Sequence, residues 1–122
     1  MGRSKVLIVD DNPNMSALLS DMLDVFEFSS KQAKGGHEAL DMLGSEDFSM
    51  VITDLRMPEM SGSQLLKSIK EKYPDMPVVV ISGFNVADDE DDILSTMADA
   101  FINKPFRMDD IQKILNKFGK AG

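Results

Sequence analysis

The sequence predicts an α/β fold in which five short strands alternate with five helices, a (βα)₅ doubly wound parallel sheet. Short apolar runs alternate with longer stretches of helical spacing, which is the pattern of βαβ units. The first apolar run does not alternate with polar residues, as expected for a strand that is covered on both faces. We expect one domain over residues 1–122, with an ordered core at about 4–119.

The first β–α unit has the clearest signals. Its strand is predicted at Lys5–Val9, and an acidic pair separates this strand from a helix with Asn12 as N-cap and Pro13 in the first turn. The apolar residues of the helix recur at helical spacing: Met15, Leu18, Leu19, Met22, Leu23 and Phe26. Such spacing places them on one face, which we expect to pack against the sheet.

The second unit has a weaker strand signal. The segment Ser29–Ala33 is mostly polar, which suits a strand at the edge of a sheet. Gly35 and Gly36 then turn the chain. A short helix follows and ends near Gly44. An edge position requires burial of only part of the strand, so the polar composition does not contradict the predicted parallel sheet.

The third unit begins with a predicted strand at Met50–Thr53. Ser61 and Gln64 have the spacing of a capping box, in which each side chain hydrogen-bonds the other residue's backbone N–H at a helix start. Pro74 ends this helix, because proline lacks the N–H that a continuing helix needs.

The last two units repeat the pattern with shorter elements. A strand is predicted at Val78–Ile81, followed by a short acidic helix at about 89–97. The fifth strand is predicted at about Ala100–Asn103. The last helix carries an apolar face and has Gly119 at its C-cap; the face comprises Ile111, Ile114, Leu115 and Phe118.

The composition argues against several classes of function. Twenty-one acidic residues against 13 basic ones give a net charge of −8, so we expect no direct nucleic-acid binding. The absence of cysteine excludes disulfides and thiolate metal sites. The longest mainly apolar stretch, Met76–Ile81, is far shorter than the roughly 18 residues of a membrane span, and no leader is recognisable. We therefore expect a cytoplasmic protein without membrane contact.

Chemically reactive side chains follow several of the predicted strands. Asp10 and Asp11 follow the first strand, Asp54 the third, Ser82 the fourth and Lys104 the fifth. Ligand sites of open parallel sheets lie outside the carboxyl ends of the strands, so these residues are expected to converge. Three carboxylates, one hydroxyl and one ammonium form a site suited to a divalent cation and a phosphoryl group.

Four motifs that fall at these positions resemble those of receiver domains of two-component response regulators. They are Val-Leu-Ile-Val-Asp-Asp-Asn at 6–12, Ile-Thr-Asp-Leu-Arg-Met-Pro at 52–58 with Gly62, Ile-Ser-Gly at 81–83 and Phe-Ile-Asn-Lys-Pro-Phe at 101–106. The motifs keep the family's order and spacing, and the resemblance covers nearly the whole chain. It implies a flavodoxin-like sheet with strand order 2-1-3-4-5.

The resemblance also implies a role for each residue of the site. Asp54 would accept the phosphoryl group from a histidine kinase or a histidine phosphotransfer protein. Mg²⁺, with Mn²⁺ as a second candidate, would be bound by Asp10, Asp11, Asp54 and the backbone carbonyl of Arg56. Ser82 and Lys104 would bind the phosphoryl oxygens. The downstream output is left open by the sequence.

The resemblance implies further roles in switching, backbone conformation and water access. Ser82 and Phe101 would form the conformational switch, with the output running across the acidic helix, the fifth strand and the last helix. The peptide bond before Pro105 would be cis. The side chains of Arg56 and Phe84 would flank the path of water and tune autodephosphorylation.

Two other functions are alternatives to that of a receiver. A phosphohydrolase of the haloacid-dehalogenase type also uses an aspartate nucleophile with Mg²⁺, but it needs a second aspartate at the position of Arg56. A pseudo-receiver that binds partners without phosphorylation would normally lack Asp11, Asp54 or Lys104, and all three are present. A stand-alone regulator, part of a larger regulator and the receiver of a hybrid kinase all fit the sequence.

Overall fold

A computed structural model describes residues 5–54, 62–82, 98–103 and 106–118. Within these ranges five strands and four helices follow one another in the predicted order, and residues 83–97 between the fourth and fifth strands lie outside the description. The strands are β1 (Lys5–Val9), β2 (Ser29–Ala33), β3 (Met50–Asp54), β4 (Val78–Ser82) and β5 (Ala100–Asn103). The helices are α1 (Pro13–Val25), α2 (Gly36–Ser45), α3 (Gly62–Lys72) and α4 (Met108–Phe118). The acidic helix predicted at about 89–97, Ser61 of the capping box and Gly119 lie outside the described residues.

The five strands form one parallel sheet in the order β2-β1-β3-β4-β5. This is the flavodoxin-like order, so the predicted fold class is confirmed. The chain crosses from β1 outwards to β2 and then back past β1 to β3, so the order reverses between β1 and β3. Ligands of such sheets bind in the crevice at the carboxyl ends of the strands beside that reversal.

Alternate residues of the strands fill two separate cores. Even-numbered residues of β1 and β3, including Ile8 and Ile52, and odd-numbered residues of β4 pack with apolar residues of α1 and α4. Odd-numbered residues of β1 and β3, including Val9 and Val51, and even-numbered residues of β4 pack with α2 and α3. Because successive side chains of a strand point to opposite faces, each apolar run must be buried on both sides, which explains its lack of alternation.

The loop between β1 and α1 is fixed by local hydrogen bonds. The Asn12 side-chain oxygen accepts from the backbone N–H groups of Asn14 at 2.9 Å and Met15 at 3.3 Å, and Pro13 occupies the first turn. This is the cap that the sequence predicts. Just beyond the carboxyl end of α1, Glu27 adopts a left-handed conformation with a φ of 64°. The sequence does not predict this conformation, because glycine usually occupies such positions.

Two strands are one residue longer than predicted. Asp54 remains paired with Ile81 at the end of β3, and Ser82 remains paired with Asn103 at the end of β4. A change from apolar to polar side chains marks where burial ends, but the backbone ladder continues while a neighbouring strand offers partners. The sheet therefore includes Asp54 at the end of β3 and Ser82 at the end of β4.

Glu46, in the connection between α2 and β3, forms ion pairs with a lysine at the start of β1 and a lysine within β2. Lys5 donates a hydrogen bond to Glu46 at 2.8 Å, and Lys31 lies 3.4 Å from the same carboxylate. The bond from Lys5, reinforced by Lys31, holds the pKa of the Glu46 carboxyl below its ordinary value. No helix among the described residues has the length and apolar character needed to cross a membrane.

Candidate functional site

Three carboxylates meet at the carboxyl end of the sheet. One side-chain oxygen each of Asp10, Asp11 and Asp54 lies within 4.8 Å of the other two. Asp10 directly follows β1, and Asp54 ends β3, the strand paired with β1. The three side chains become progressively more accessible, since Asp10 is buried, Asp54 is half-buried and Asp11 is exposed. The convergence expected from the order of the strands is therefore present for these three residues.

Asp10 is held by backbone groups of β2 and of the β1–α1 loop. Its N–H donates to the carbonyl of Ala33 at 3.1 Å, which continues the pairing of β1 with β2. Its carboxylate oxygen Oδ1 accepts from the N–H of Asn12 at 2.9 Å. Only 5% of the residue is exposed, so this charge-assisted bond is shielded from competing water. Asn12 thus caps α1 with its side chain and orients Asp10 with its backbone.

The spacing of the carboxylates suits a divalent cation. Magnesium binds six oxygens at about 2.0–2.1 Å, so two oxygens on opposite sides of one ion lie about 4.2 Å apart. The three aspartate oxygens all lie within 4.8 Å of one another, so small side-chain movements can bring two of them to one ion. Mg²⁺ keeps several waters and needs only one or two direct carboxylate ligands, so the donor set fits this ion.

The structure describes only part of the remaining predicted site. The backbone of Ser82 ends β4, one strand away from Asp54, but its side chain lies outside the description, as do residues 55–61, 83–97 and 104–105. The predicted roles of Arg56, Phe84, Lys104 and Pro105 therefore fall outside the described residues. Phe101 is described; it is half-buried in β5 and packs against the core on the α2–α3 side.

One residue near the site was missed by the sequence reasoning. Thr53 is completely buried, and its hydroxyl donates to the backbone carbonyl of Asp54 at 3.0 Å. The available signal was a hydroxyl residue at the end of an otherwise apolar strand, directly before a reactive carboxylate. Because buried polar groups need partners, such a residue in a buried strand indicates a specific hydrogen bond.

Magnesium is expected to stabilise the folded protein. The three clustered carboxylates repel one another in the absence of metal, and a cation that binds only the folded state adds about 2.7 kcal/mol when its concentration is 100 times the dissociation constant. Thermal unfolding should therefore shift to higher temperature as Mg²⁺ rises through the millimolar range. An unchanged melting temperature would count against the site, and a K⁺ salt at matched ionic strength provides the control.

Comparisons with known proteins agree with this architecture. Residues 6–116 match the family model for the response regulator receiver domain. The chain is 37% identical over 119 residues to the two-component response regulator ORR5 of Oryza sativa subsp. japonica, covering 95% of this chain and 89% of that protein. It is 31% identical over 115 residues to the response regulator protein PilR of Pseudomonas aeruginosa, covering 94% of this chain but 26% of PilR.

Solved structures show the same fold. The response regulator TrrA of Thermotoga maritima, determined in complex with Mg²⁺ and BeF, superimposes with a TM-score of 0.85 at 28% identity. The alignment covers 94% of this chain and 98% of TrrA. The likeness therefore extends over the whole arrangement of strands and helices that carries the three carboxylates.

Proposed function

The chain belongs to the response regulator receiver domain family, and on that premise we propose that Asp54 accepts a phosphoryl group in a Mg²⁺-dependent reaction. The donor is a phosphohistidine of a histidine kinase or a histidine phosphotransfer protein. The observation that carries the proposal is the cluster of Asp10, Asp11 and Asp54 at the carboxyl ends of two paired strands. The Mg²⁺–BeF complex of TrrA supports the choice of ion.

The transfer follows from the position of Asp54 in this cluster. One carboxylate oxygen of Asp54 attacks the phosphorus; the new P–O bond forms as the P–N bond to the donor histidine breaks. The imidazole leaves with the bonding electron pair and takes a proton. The product is an acyl phosphate on Asp54. Mg²⁺, or Mn²⁺ in its place, would supply positive charge for the phosphoryl oxygens and for the crowded carboxylates.

The remaining residues of the proposed site are assigned through the family. Asp10, Asp11, Asp54 and the carbonyl of Arg56 hold the cation. Ser82 and Lys104 bind the phosphoryl oxygens, and the peptide bond before Pro105 is cis. The side chains of Arg56 and Phe84 regulate the approach of the water that hydrolyses the acyl phosphate.

The phosphoryl group acts as a switch in this proposal. It offers Ser82 strong acceptor oxygens, and movement of Ser82 towards them frees space for Phe101 to turn inwards. Phe101 is half-buried beside Val80, its partner in β4, so an inward turn exchanges exposure for core contacts. Phosphorylation would shift the population between two arrangements of this side of the domain. We further propose that residues 1–122 act as one cytoplasmic domain, whose output is made through a partner or an attached domain.

The proposal is tested by intact-mass spectrometry after incubation with acetyl phosphate or a phosphohistidine donor. We expect the mass of one phosphoryl group to appear with Mg²⁺ and to be absent when EDTA removes the metal. A parallel measurement with beryllofluoride detects a functional site whose phosphoryl group hydrolyses too quickly to observe. If neither an adduct nor beryllofluoride binding is found, the protein is not a phosphoacceptor, and the pseudo-receiver becomes the better description.

A further inference from the structure

Thr53 combines complete burial with a polar contact to the phosphoacceptor residue. Its relative exposure is 0%, and among the described residues only Asp10 and Ser16 are other buried polar or charged side chains. The Thr53 hydroxyl donates a hydrogen bond of 3.0 Å to the backbone carbonyl of Asp54. The contact joins the last two residues of β3, where the strand delivers its carboxylate to the site.

The neighbours of Thr53 are apolar on both sides. In the register of the sheet Thr53 lies between Val9 of β1 and Val80 of β4, and both valines are completely buried. Ala33 and Phe101 continue this row to the two edge strands. A hydroxyl in such a layer is shielded from water, which makes its hydrogen bond stronger and its loss costly.

Packing alone does not account for a threonine at this position. Valine has nearly the same shape, and it is the residue found at the paired positions of both neighbouring strands. Threonine differs from valine by the hydroxyl, whose described contact is the carbonyl of Asp54. Within this row of apolar residues across the sheet, the polar side chain therefore stands at the position next to the proposed nucleophile in the chain.

We infer that Thr53 is a positioning residue for phosphoryl transfer, an inference that rests on the proposed function of Asp54. The Asp54 carbonyl belongs to the peptide unit that leaves β3. Holding this carbonyl fixes the backbone from which the Asp54 carboxylate projects.

The effect is expected in the rate of transfer. In-line attack depends on a narrow range of distances and angles between nucleophile and phosphorus, and small displacements of a reacting group lower the rate strongly. Loss of one buried hydrogen bond corresponds to a change of about three- to tenfold in a rate or equilibrium constant. We expect this loss in the maximal rate at saturating Mg²⁺ and acetyl phosphate.

The test compares Thr53→Val, which removes the hydroxyl at constant shape, with Thr53→Ser, which keeps it. Phosphorylation by acetyl phosphate is followed by intact mass as a function of Mg²⁺, well below the melting temperature of each protein. We expect Thr53→Val to lower the maximal rate about three- to tenfold and Thr53→Ser to stay within about twofold of the unaltered protein. If Thr53→Val does not fold, Thr53→Ala repeats the test, because it also lacks the hydroxyl and its smaller side chain crowds the core less.

The outcomes separate this inference from the proposed function. If the unaltered protein is phosphorylated and Thr53→Val reacts at the same rate, the positioning role is refuted and the phosphoacceptor stands. If Thr53→Ser is as slow as Thr53→Val, keeping the hydroxyl does not preserve the rate, and the inference is again refuted. If the unaltered protein takes up no phosphoryl group and binds no beryllofluoride, the proposed function fails and this inference fails with it.

Discussion

Replacing Asp54 by asparagine should abolish phosphorylation while leaving the fold intact. The amide has nearly the shape of the carboxylate but is not a nucleophile towards phosphorus, so no acyl phosphate can form. We expect uptake from acetyl phosphate to fall at least about a hundredfold, corresponding to about 2.7 kcal/mol in the activation free energy. Intact mass after incubation with acetyl phosphate and Mg²⁺ measures the effect directly.

A matched substitution distinguishes this loss from a general effect of removing an aspartate. Asp41 is exposed in α2, away from the carboxyl ends of the strands, and Asp41→Asn makes the same chemical change. We expect it to be phosphorylated as the unaltered protein is. Circular dichroism of both variants checks that the sheet and helices are retained. Full phosphorylation of Asp54→Asn would place the acceptor elsewhere in the chain.

Most of the fold could be predicted because the apolar pattern and the local stop signals agree. The strand limits Lys5–Val9, Ser29–Ala33 and Ala100–Asn103 are those expected from the sequence. Asn12 and Pro13 fix the start of α1 through contacts within a few residues, so that helix start needs no knowledge of the tertiary structure. Parallel strands bring their carboxyl ends to one edge, which is why the grouping of Asp10 with Asp54 could be expected.

Features set by the backbone path in the folded protein, and not by residue type, were not predictable. Asp54 and Ser82 still belong to the ladder because Ile81 and Asn103 lie beside them in neighbouring strands. The left-handed backbone of Glu27 is imposed by the turn that carries the chain from α1 into β2, and the residue type does not signal it. The contact of Thr53 with the Asp54 carbonyl depends on the backbone direction at the strand end.

The cation site itself should respond to neutralisation of its carboxylates. Asp10→Asn and Asp11→Asn each remove one negative charge from the cluster and leave an oxygen in nearly the same place. An amide oxygen binds Mg²⁺ more weakly than a carboxylate does, since hard divalent cations favour charged oxygen ligands. We expect each variant to need about ten to a hundred times more Mg²⁺ for half-maximal binding, a loss comparable to that caused by disrupting the surroundings of known metal sites.

Asp11→Asn should weaken Mg²⁺ binding but stabilise the metal-free protein against thermal unfolding. Two unit charges about 4 Å apart repel by about 1 kcal/mol even at the dielectric constant of water. Asp11 is exposed and lies beside two other carboxylates, so its neutralisation is expected to raise the melting temperature without Mg²⁺ and to reduce the rise that Mg²⁺ produces. Thermal unfolding with EDTA and with millimolar Mg²⁺ measures both effects on one sample.

Asp21→Asn provides the control for this pair of measurements. Asp21 is exposed on α1 outside the cluster, so its neutralisation changes the net charge equally without touching the proposed cation ligands. It should leave the response to Mg²⁺ unchanged. If Asp11→Asn and Asp21→Asn respond to Mg²⁺ alike, stabilisation by the cation is a general effect of screening an acidic protein, and the three carboxylates do not form its binding site.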